Sequence, residues 1–209
     1  MVKNSPDELI NQLDNYKERH TAEFYYKTRQ IDRMTEFLDL TDIQRATRFI
    51  YLNKTCFNGL YRVNQKGYFN TPIGSYKNPN IADRDTIHSA SEALQYTTIS
   101  NKPFGEVMDN TSKDDLIYFD PPYYPLNATS SFTAYNENEF LEVEQNELYE
   151  VFDKLDKAGC YVLHSNSDTQ FIKNLYIDYE INLVQANRFI NSKSSGRGKI
   201  NEVLIRNKR

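Results

Sequence analysis

The chain has 209 residues, 39% of them hydrophobic, with 29 acidic and 25 basic side chains and a formal net charge of −4. This length suits one domain, or one domain with a subdomain, and the composition is typical of a soluble protein with a core. No apolar run approaches the ~18 residues that a membrane span needs, and the polar N-terminus is unlike a secretory signal. We therefore expect a cytoplasmic protein without a membrane partner.

The cysteines and histidines do not indicate a metal site. Cys56 and Cys160 lie in apolar or aromatic neighbourhoods, where a thiol is expected to pack rather than react. The three histidines are far apart, so no metal-ligand spacing occurs. We expect a reducing compartment and no metal.

The charge is unevenly distributed along the chain. Residues 43–82 contain six Lys/Arg and no acid, and residues 185–209 contain seven Lys/Arg against the single acid Glu202. Basic segments on an otherwise acidic protein are typical of a phosphate-binding face. The alternative is a solvated basic edge, which suits the C-terminal tail better than a 40-residue stretch free of acids.

The first part of the chain predicts three helices. Ser5-Pro6-Asp7-Glu8 supplies an N-cap, a proline at the first helical position and a capping-box acid. Apolar spacing predicts a second helix over roughly residues 21–38. A third begins at Thr41-Asp42-Ile43-Gln44, which is again a capping box, and continues through Ile50.

A hairpin is predicted next. Two short strands flank Gln65-Lys66-Gly67, a three-residue loop whose glycine is available for a positive φ. Because side chains alternate along a strand, Leu60, Arg62 and Asn64 share one face. Arginine pairs bidentately with guanine, and an apolar side chain can meet a thymine methyl group, so this face could read base edges. An ordinary surface hairpin with a solvated arginine explains the segment equally well.

The segment Asp115-Leu-Ile-Tyr-Phe-Asp120-Pro121-Pro122-Tyr123 joins an apolar strand to an acid, two prolines and an aromatic ring. Ligands of open α/β sheets bind just beyond the carboxyl ends of the strands, where Asp120 and Tyr123 fall. The prolines lack N–H donors and leave carbonyl oxygens free to accept from a substrate. These groups suit a flat substrate that bears an amino group. The alternative is a strand-ending turn, in which Asp-Pro is common.

The chain after Asp120 alternates helices and strands, which predicts an α/β fold. His164 is interpreted as a satisfied residue at a strand end rather than as a base. The predicted elements are an acidic helix over 139–158 that ends at Gly159, a strand over 160–163 that leads into His164-Ser165-Asn166-Ser167, a helix over 168–176, a strand over roughly 179–186 and a closing strand over 202–205.

Several separated motifs span nearly the whole chain: Asp120-Pro-Pro-Tyr123 after its apolar strand, the segment from Tyr51 to Asn64, Phe69-Asn-Thr-Pro-Ile-Gly74, Phe132-Thr-Ala-Tyr135, Ser165-Asn-Ser167 and Arg197-Gly-Lys-Ile-Asn-Glu202. Together they resemble the Dam/DpnM-type (D12 class) adenine-specific DNA methyltransferases. The resemblance implies transfer of a methyl group from S-adenosylmethionine to adenine N6 in double-stranded DNA, within GATC. It also allows for a restriction endonuclease as a partner in the same system.

The resemblance implies a fold and a domain division as well. The expected fold class is α/β: a partial Rossmann-like methyltransferase sheet, formed by the C-terminal half with a closing antiparallel strand, plus a helical and β-hairpin DNA-recognition subdomain. Residues 1–88 are expected to form the target-recognition subdomain, and residues 89–209 the C-terminal half of the catalytic domain.

The catalytic roles follow from the same resemblance. Asp120 and Pro121 are expected to accept hydrogen bonds from the amino group of adenine, with Pro122 and Tyr123 completing the catalytic loop. Tyr123 would stack on a target base that has left the duplex. Asp120 and Phe104 are assigned to S-adenosylmethionine.

Nine residues are assigned to DNA by the resemblance. Arg62 is expected to read a guanine, with Leu60 and Pro72 close to a thymine. The others lie at a distorted base step (Phe57, Asn58), support the hairpin or contact phosphate (Asn64, Asn70), or belong to the C-terminal basic segment (Arg197, Lys199).

The chain departs from the family in one respect. Family members begin with a Lys-Trp-x-Gly-Gly-Lys-like segment and a Phe-x-Gly-x-Gly loop, which hold most of the methyl donor, and neither motif occurs here. We therefore expect a chain that lacks the N-terminal cofactor-binding segment, with an incomplete cofactor site. The alternatives are a catalytically inactive fragment that acts only as a DNA-binding remnant, an enzyme that needs a second chain, and an unfolded relic.

Overall fold

The chain divides into two compact units, each with its own hydrophobic core. The computed structural model describes residues 1–126, 140–187 and 199–208. The first unit is Met1–Ser100, and the second comprises the described residues from Asn101 onward. Within these described ranges, no helix is long and apolar enough to cross a membrane.

Helices build the first unit. Their apolar faces meet in a core in which Leu9, Leu13, Tyr25, Tyr51 and Leu52 are almost completely buried. The elements are α1 (Pro6–Glu18), α2 (Ala22–Gln30), α3 (Asp42–Thr55) and α4 (Arg84–Leu94), with 3-10 turns at Ile31–Arg33, Thr35–Asp39 and Phe57–Gly59.

The helix starts agree with the local sequence signals, and one helix end does not. The capping box at Thr41 is confirmed, since its side chain accepts from Gln44 N and the Gln44 side chain accepts from Thr41 N. α1 begins at Pro6, although Ser5 makes no side-chain cap. The predicted helix over 21–38 is wrong beyond Gln30, because Met34 adopts an extended conformation and splits the remainder into two 3-10 turns.

Helix α4 has no counterpart among the predicted elements. The Asp83 side chain accepts from Thr86 N at its start, and the buried Ser91 donates to the carbonyl oxygen of Lys3 over 3.1 Å. α4 packs against α1, so the whole helix belongs to the first unit. The predicted division after residue 88 therefore falls inside this helix, whereas the compact units divide after Ser100.

The hairpin predicted around residues 65–67 is present in reduced form. Asn64 N donates to Tyr68 O, and Asn70 N donates to Arg62 O, both over 2.9 Å. Gly67 adopts the expected positive φ of 74°. Pairing amounts to one isolated bridge between Val63 and Phe69, rather than the two short strands predicted.

Buried polar groups from α2 and the following turn hold the hairpin in place. The Asp32 carboxylate accepts from Phe69 N over 2.8 Å, and Arg33 donates to Phe69 O over 2.8 Å. Asp32 also forms an ion pair with Arg48 over 2.9 Å, and only 9% of each side chain is exposed. The Tyr25 hydroxyl donates to Thr71 O over 2.9 Å. These contacts replace the ladder that a longer strand pair would supply.

The second unit contains a four-stranded mixed sheet. Its strand order is β1-β2-β4-β3, with β1 parallel to β2 and with β4 antiparallel to both of its neighbours. The α/β fold class and the closing antiparallel strand are thereby confirmed. The elements are β1 (Leu116–Phe119), α5 (Glu142–Ala158), β2 (Tyr161–Ser167), α6 (Gln170–Leu175), β3 (Glu180–Asn187) and β4 (Lys199–Arg206), preceded by a 3-10 helix over Phe104–Asn110.

The two faces of the sheet differ in burial. Ile117 and Phe119 point into a core that α5 and α6 cover, whereas Leu116 and Tyr118 alternate to the opposite face and are 67% and 56% exposed. α5 ends as predicted at Gly159, whose φ of 97° is the left-handed conformation typical of a helix C-cap. The buried strand predicted over Leu116–Phe119 is confirmed at both ends, but the expectation that it is buried holds only for Ile117 and Phe119.

Removal of the buried Asp32 carboxylate should strongly destabilise the first unit. Asp32→Ala leaves Arg48 buried without its anion, which costs about 3–5 kcal/mol of unfolding free energy. Urea denaturation measures the change. Glu23→Ala, which breaks an exposed ion pair with Lys27, is the matched control and should change the unfolding free energy far less. Equal effects of the two variants would contradict a central role for Asp32.

Candidate active site

The sheet topology brings three segments to one edge. Phe119 of β1 pairs with His164 of β2, and because the strands are parallel, the residues that follow these two positions emerge side by side. β4 runs in the opposite direction, with Glu202 opposite Ser167. The carboxyl ends of β1 and β2 and the first half of β4 therefore meet where open α/β sheets bind their ligands.

Asp120 is exposed, and one of its two carboxylate oxygens is hydrogen-bonded within the described residues. Its Oδ1 atom accepts from the Ser165 hydroxyl over 2.9 Å, and Ser165 in turn accepts from the Tyr118 hydroxyl over 2.9 Å. Within the residues that the structure describes, the second carboxylate oxygen makes no hydrogen bond. One oxygen thus fixes the rotamer while the other can accept from a ligand.

The two proline carbonyls have different surroundings. No described donor bonds to the Pro121 oxygen, which agrees with the expectation of a free acceptor. The Pro122 oxygen accepts from Gln145 Nε2 over 3.2 Å. The prediction that both carbonyls are free is therefore wrong for Pro122, because a buried amide from α5 reaches it.

Tyr123 is half-buried beside two carboxylates. Its hydroxyl donates to Glu202 Oε2 over 3.4 Å. Burial is the main reason that the pKa of the Tyr123 phenol is raised; a hydrogen bond with Ser165 opposes the rise, and the Glu202 and Asp120 carboxylates add to it. The ring accordingly stays neutral at ordinary pH.

A buried amide network lies behind this loop. Asn166 Oδ1 accepts from Tyr124 N over 2.9 Å and from Ser167 N over 2.8 Å, which fixes the orientation of the side-chain amide. Asn166 Nδ2 then faces Gln145 Oε1 and His164 Nε2, each at 3.1 Å. Gln145, His164 and Asn166 are completely buried.

His164 is held neutral by its surroundings. Burial lowers the pKa of His164 from 6.5 to about 4. Its Nε2 atom faces the Asn166 donor, so protonation there would displace a hydrogen bond. The ring also stacks on Tyr176, with centroids 4.9 Å apart. The interpretation of His164 as a satisfied residue at a strand end is wrong in two respects. β2 continues past the predicted end at 163 to Ser167, which places His164 in the middle of the strand, and its buried Nδ1 atom has no hydrogen-bond partner within the described residues.

The hairpin holds its arginine in a defined position. Arg62 Nε donates to Asn70 Oδ1 over 2.7 Å, and Arg62 Nη2 approaches Asn70 O at 3.3 Å. Asn64 Oδ1 accepts from Lys66 N and Tyr68 N, over 2.9 and 3.1 Å. Both asparagines therefore support the hairpin, and the guanidinium remains exposed.

The other residues assigned to DNA differ in exposure and in local conformation. Phe57 is 52% exposed, and Asn58 takes a left-handed φ of 55° in the turn that follows α3. Leu60 is half-buried and Pro72 is exposed. Lys199 begins β4, whereas Arg197 and the motif over 132–135 lie outside the described residues.

The basic stretch over 43–82 is only partly available to a ligand. Arg48 is 8% exposed and donates to the carbonyl oxygens of Thr28 and Arg29 in addition to its ion pair with Asp32. Arg45 donates to backbone carbonyls at the start of α3. The expectation of surface charge is therefore wrong for Arg48, because a charge count carries no information on burial, whereas Arg45 is exposed.

The two residues assigned to the methyl donor are compatible with it. S-adenosylmethionine carries hydroxyl and amino donors, and Asp120 offers an exposed carboxylate with one free oxygen within the described residues. Phe104 lies half-buried on the second core, with its ring centroid 6.0 Å from that of Phe140. An acceptor carboxylate and an aromatic ring are groups that suit a small ligand with N–H or O–H donors and an aromatic group.

The residues that support the loop after β1 and the hairpin of the first unit escaped prediction. Tyr118, Gln145 and Asp32 are single polar side chains within a strand, a helix and a turn, and their partners lie far away in the chain. A polar residue on the inward face of α5, between the apolar positions, was the only available signal for Gln145.

The fold and this site together define an α/β enzyme with an acidic, proline-rich loop at the carboxyl edge of its sheet. A family model described as D12 class N6 adenine-specific DNA methyltransferase matches residues 1–190. The chain therefore belongs to that family of S-adenosylmethionine-dependent enzymes.

Named relatives agree with the family. The chain is 39% identical over 208 residues to the type II methyltransferase M1.LlaDCHI of Lactococcus lactis subsp. cremoris, which covers 99% of this chain and 73% of the relative. It is 42% identical over 216 residues to the type II methyltransferase M.MjaIII of Methanocaldococcus jannaschii, covering 99% and 74%. It is 36% identical over 207 residues to a DNA adenine methylase of Escherichia coli (strain K12), covering 98% and 72%.

The buried imidazole should make the protein less stable in mild acid. His164 stays neutral in the fold down to a pH of about 4, whereas the unfolded chain binds a proton below its usual pKa of 6.5. The unfolding free energy should fall as the pH drops from about 6.5 towards about 4, by up to about 3 kcal/mol from this residue. His164→Phe keeps a ring against Tyr176 and should reduce the loss between pH 7 and pH 5 in urea denaturation. His88→Gln removes an exposed imidazole outside this core and is the matched control.

Proposed function

We propose that the protein methylates adenine N6 within GATC in double-stranded DNA, with Asp120 and Pro121 as the groups that hold the reacting amino group. The observation that carries this proposal is a pair of adjacent acceptors at the carboxyl edge of the sheet. The Asp120 carboxylate has a free oxygen, and the Pro121 carbonyl has no donor within the described residues. An exocyclic amino group has two N–H donors, one for each acceptor.

These two acceptors can activate a poor nucleophile. The lone pair of adenine N6 is delocalised into the ring, so the nitrogen is planar and unreactive. Hydrogen bonds to Asp120 and Pro121 hold both N–H bonds on one side and draw the nitrogen towards a pyramidal geometry. Preorganised acceptors of this kind act through orientation and electrostatics. Because Asp120 is exposed, the proton that N6 loses can pass through this carboxylate to water.

S-adenosylmethionine, when bound, supplies an electrophilic methyl group attached to a sulfonium. Asp120 and Phe104 are the residues of this chain that would contact it. The parallel pair β1-β2 with its covering helix α5 supports a Rossmann-like catalytic half, to which the second unit corresponds. The first unit, with its helices and hairpin, would then be the target-recognition part.

Tyr123 would stack on the flipped base. Adenine inside a duplex cannot reach Asp120, so the target nucleotide must leave the helix. The Tyr123 ring lies three residues beyond Asp120 at the same edge and is neutral, as a stacking partner should be. Its hydroxyl, bonded to Glu202, ties the ring to β4.

Recognition of GATC is assigned to the hairpin. Arg62 is held by Asn70 through Nε, which leaves other guanidinium N–H donors for the two acceptors of guanine in the major groove. Leu60 and Pro72 supply the apolar contact that a thymine methyl group needs. The type II names of two relatives support a restriction endonuclease as a partner of this chain in the cell.

Methyl transfer is the direct test. Labelled methyl from S-adenosylmethionine should be transferred by this chain to a GATC duplex and not to a scrambled duplex. Asp120→Ala should abolish transfer while DNA binding, measured by fluorescence anisotropy of the labelled duplex, is retained. Asp178→Ala removes another exposed carboxylate of the second unit and should leave transfer unchanged.

Three outcomes would contradict parts of the proposal. Full activity of Asp120→Ala would remove Asp120 from the mechanism. Equal transfer to both duplexes would remove GATC as the site. Sequence-selective binding without any transfer would favour a DNA-binding remnant or a requirement for a second chain.

Arg62 should be responsible for the preference for guanine at one base pair of the recognition sequence. Arg62→Ala is expected to lose about 1–3 kcal/mol of preference for guanine at that position, since one bidentate pair is worth that much. Binding is measured against duplexes substituted one base pair at a time. Lys66→Ala, in the exposed loop of the same hairpin, should weaken all duplexes alike. Uniform weakening by Arg62→Ala would make it a phosphate contact instead.

A further inference from the structure

The loop that carries Tyr123 has little regular structure, yet both peptide groups that adjoin Tyr123 are bonded to buried side chains. The Pro122 carbonyl, in the peptide before Tyr123, accepts from Gln145 Nε2 over 3.2 Å. The Tyr124 N–H, in the peptide after it, donates to Asn166 Oδ1 over 2.9 Å. The two amides are joined to each other, because Asn166 Nδ2 donates to Gln145 Oε1 over 3.1 Å.

We propose that Gln145 and Asn166 form an amide clamp that fixes the backbone of Tyr123 and so positions its ring for the target base. The φ and ψ angles of Tyr123 are the rotations between its two neighbouring peptide planes. A clamp that holds both planes fixes both angles. Only the side-chain torsions of Tyr123 then remain, and its hydroxyl is already bonded to Glu202.

The clamp is rigid because its own members are fixed. Both amides are completely buried, where an unbonded polar atom would carry a large cost. Asn166 is oriented by a second backbone donor, Ser167 N, at 2.8 Å. The Ser167 hydroxyl donates to Tyr124 O over 2.6 Å and holds the loop beyond the clamp. Rotation of either amide would break several of these bonds together.

The clamp also makes the two proline carbonyls different, because it bonds only one of them. Gln145 already bonds the Pro122 oxygen, whereas the Pro121 oxygen has no donor within the described residues and is the less encumbered second acceptor for an amino group. Gln145 and Asn166 are thus positioning residues that act through Tyr123 and Pro122. This inference rests on the role proposed above for Tyr123.

The chain contains no tryptophan, so Tyr123→Trp introduces a single indole, excited apart from the tyrosines, as a reporter at the clamped position. Time-resolved anisotropy of this indole reports ring motion on the nanosecond scale. In the reporter background, Gln145→Met keeps the length of the side chain and removes both of its hydrogen bonds. A larger share of the anisotropy should then decay in the fast, local phase.

Asn207→Leu is the matched control. Asn207 is also a buried amide with three bonds, to Val162 N, Cys160 O and Asp156, but it lies at the amino end of β2, away from the loop. Its loss should lower stability without changing the local motion of the reporter. Equal changes in the two variants, or no change with Gln145→Met, would overturn the clamp.

A second variant with a shorter amide tests the clamp if Gln145→Met does not fold. Gln145→Asn keeps a buried amide but withdraws it by one methylene, so it should release the Pro122 oxygen and mobilise the reporter. A folded Gln145→Asn chain with an unchanged reporter signal would also overturn the clamp. These readouts need no methyl transfer, so an inactive parent chain would count against the proposed function and not against the clamp.

The kinetic consequence is a change in kcat rather than in DNA affinity. With Tyr123 in place, Gln145→Met should lower kcat by about 10- to 100-fold, because small misplacements of orienting groups have effects of this size. KM for the GATC duplex should remain about the same, since the recognition hairpin is untouched. A rise in KM with an unchanged kcat would contradict a positioning role.

Discussion

The parallel register of β1 and β2 decides where the polar groups of the candidate site lie. Phe119 pairs with His164, and consequently Asp120 and Ser165 emerge at one edge within hydrogen-bond distance. A slip by one residue would turn every side chain of β2 to the other face, and Ser165 would exchange places with a neighbour that faces the core. Ile117, Phe119 and Val162 resist such a slip because all three are packed beneath the helices. The hydrophobic core therefore sets the geometry of the polar site.

Both units use the same means to stabilise a loop with little structure of its own. In the first, Asp32 reaches the backbone of the hairpin at Phe69; in the second, Gln145 reaches the backbone of the loop at Pro122. A buried polar group is costly unless its hydrogen bonds are complete. Asp32 meets that condition through Arg48 and Arg33, and Gln145 meets it through Asn166. The result is a pair of segments that can present side chains to a ligand without first becoming ordered.

Much of the fold could be predicted from local signals, whereas the supporting contacts could not. The Thr41 capping box, the Gly159 helix end, the strand over Leu116–Phe119 and the glycine at position 67 each follow from neighbouring residues and are confirmed. β4 is longer than the predicted strand over 202–205, because pairing with β3 extends it to Lys199.

The contacts that escaped prediction join residues distant in sequence. Asp32 reaches a residue 37 positions away, and Gln145 reaches partners 21 and 23 positions away. For a single polar residue inside a helix or turn, the neighbouring sequence does not predict such a distant partner. Apolar periodicity shows which face is buried, but it does not show which polar group on that face completes a network.

The structural environments of the basic residues over 43–82 show that the number of charges in a segment does not give the number available to a ligand. Of the six basic side chains over 43–82, Arg48 is buried against Asp32, Arg45 binds backbone carbonyls, and Arg62 is restrained by Asn70. An arginine that is already held loses less conformational entropy when it binds, so its hydrogen bonds contribute more fully to discrimination between bases. An exposed lysine without such restraint, as proposed for Lys66, would attract phosphate whatever the base sequence. Restraint of one arginine within a basic segment thus favours selectivity over general affinity, which is the property that the proposed recognition of GATC requires.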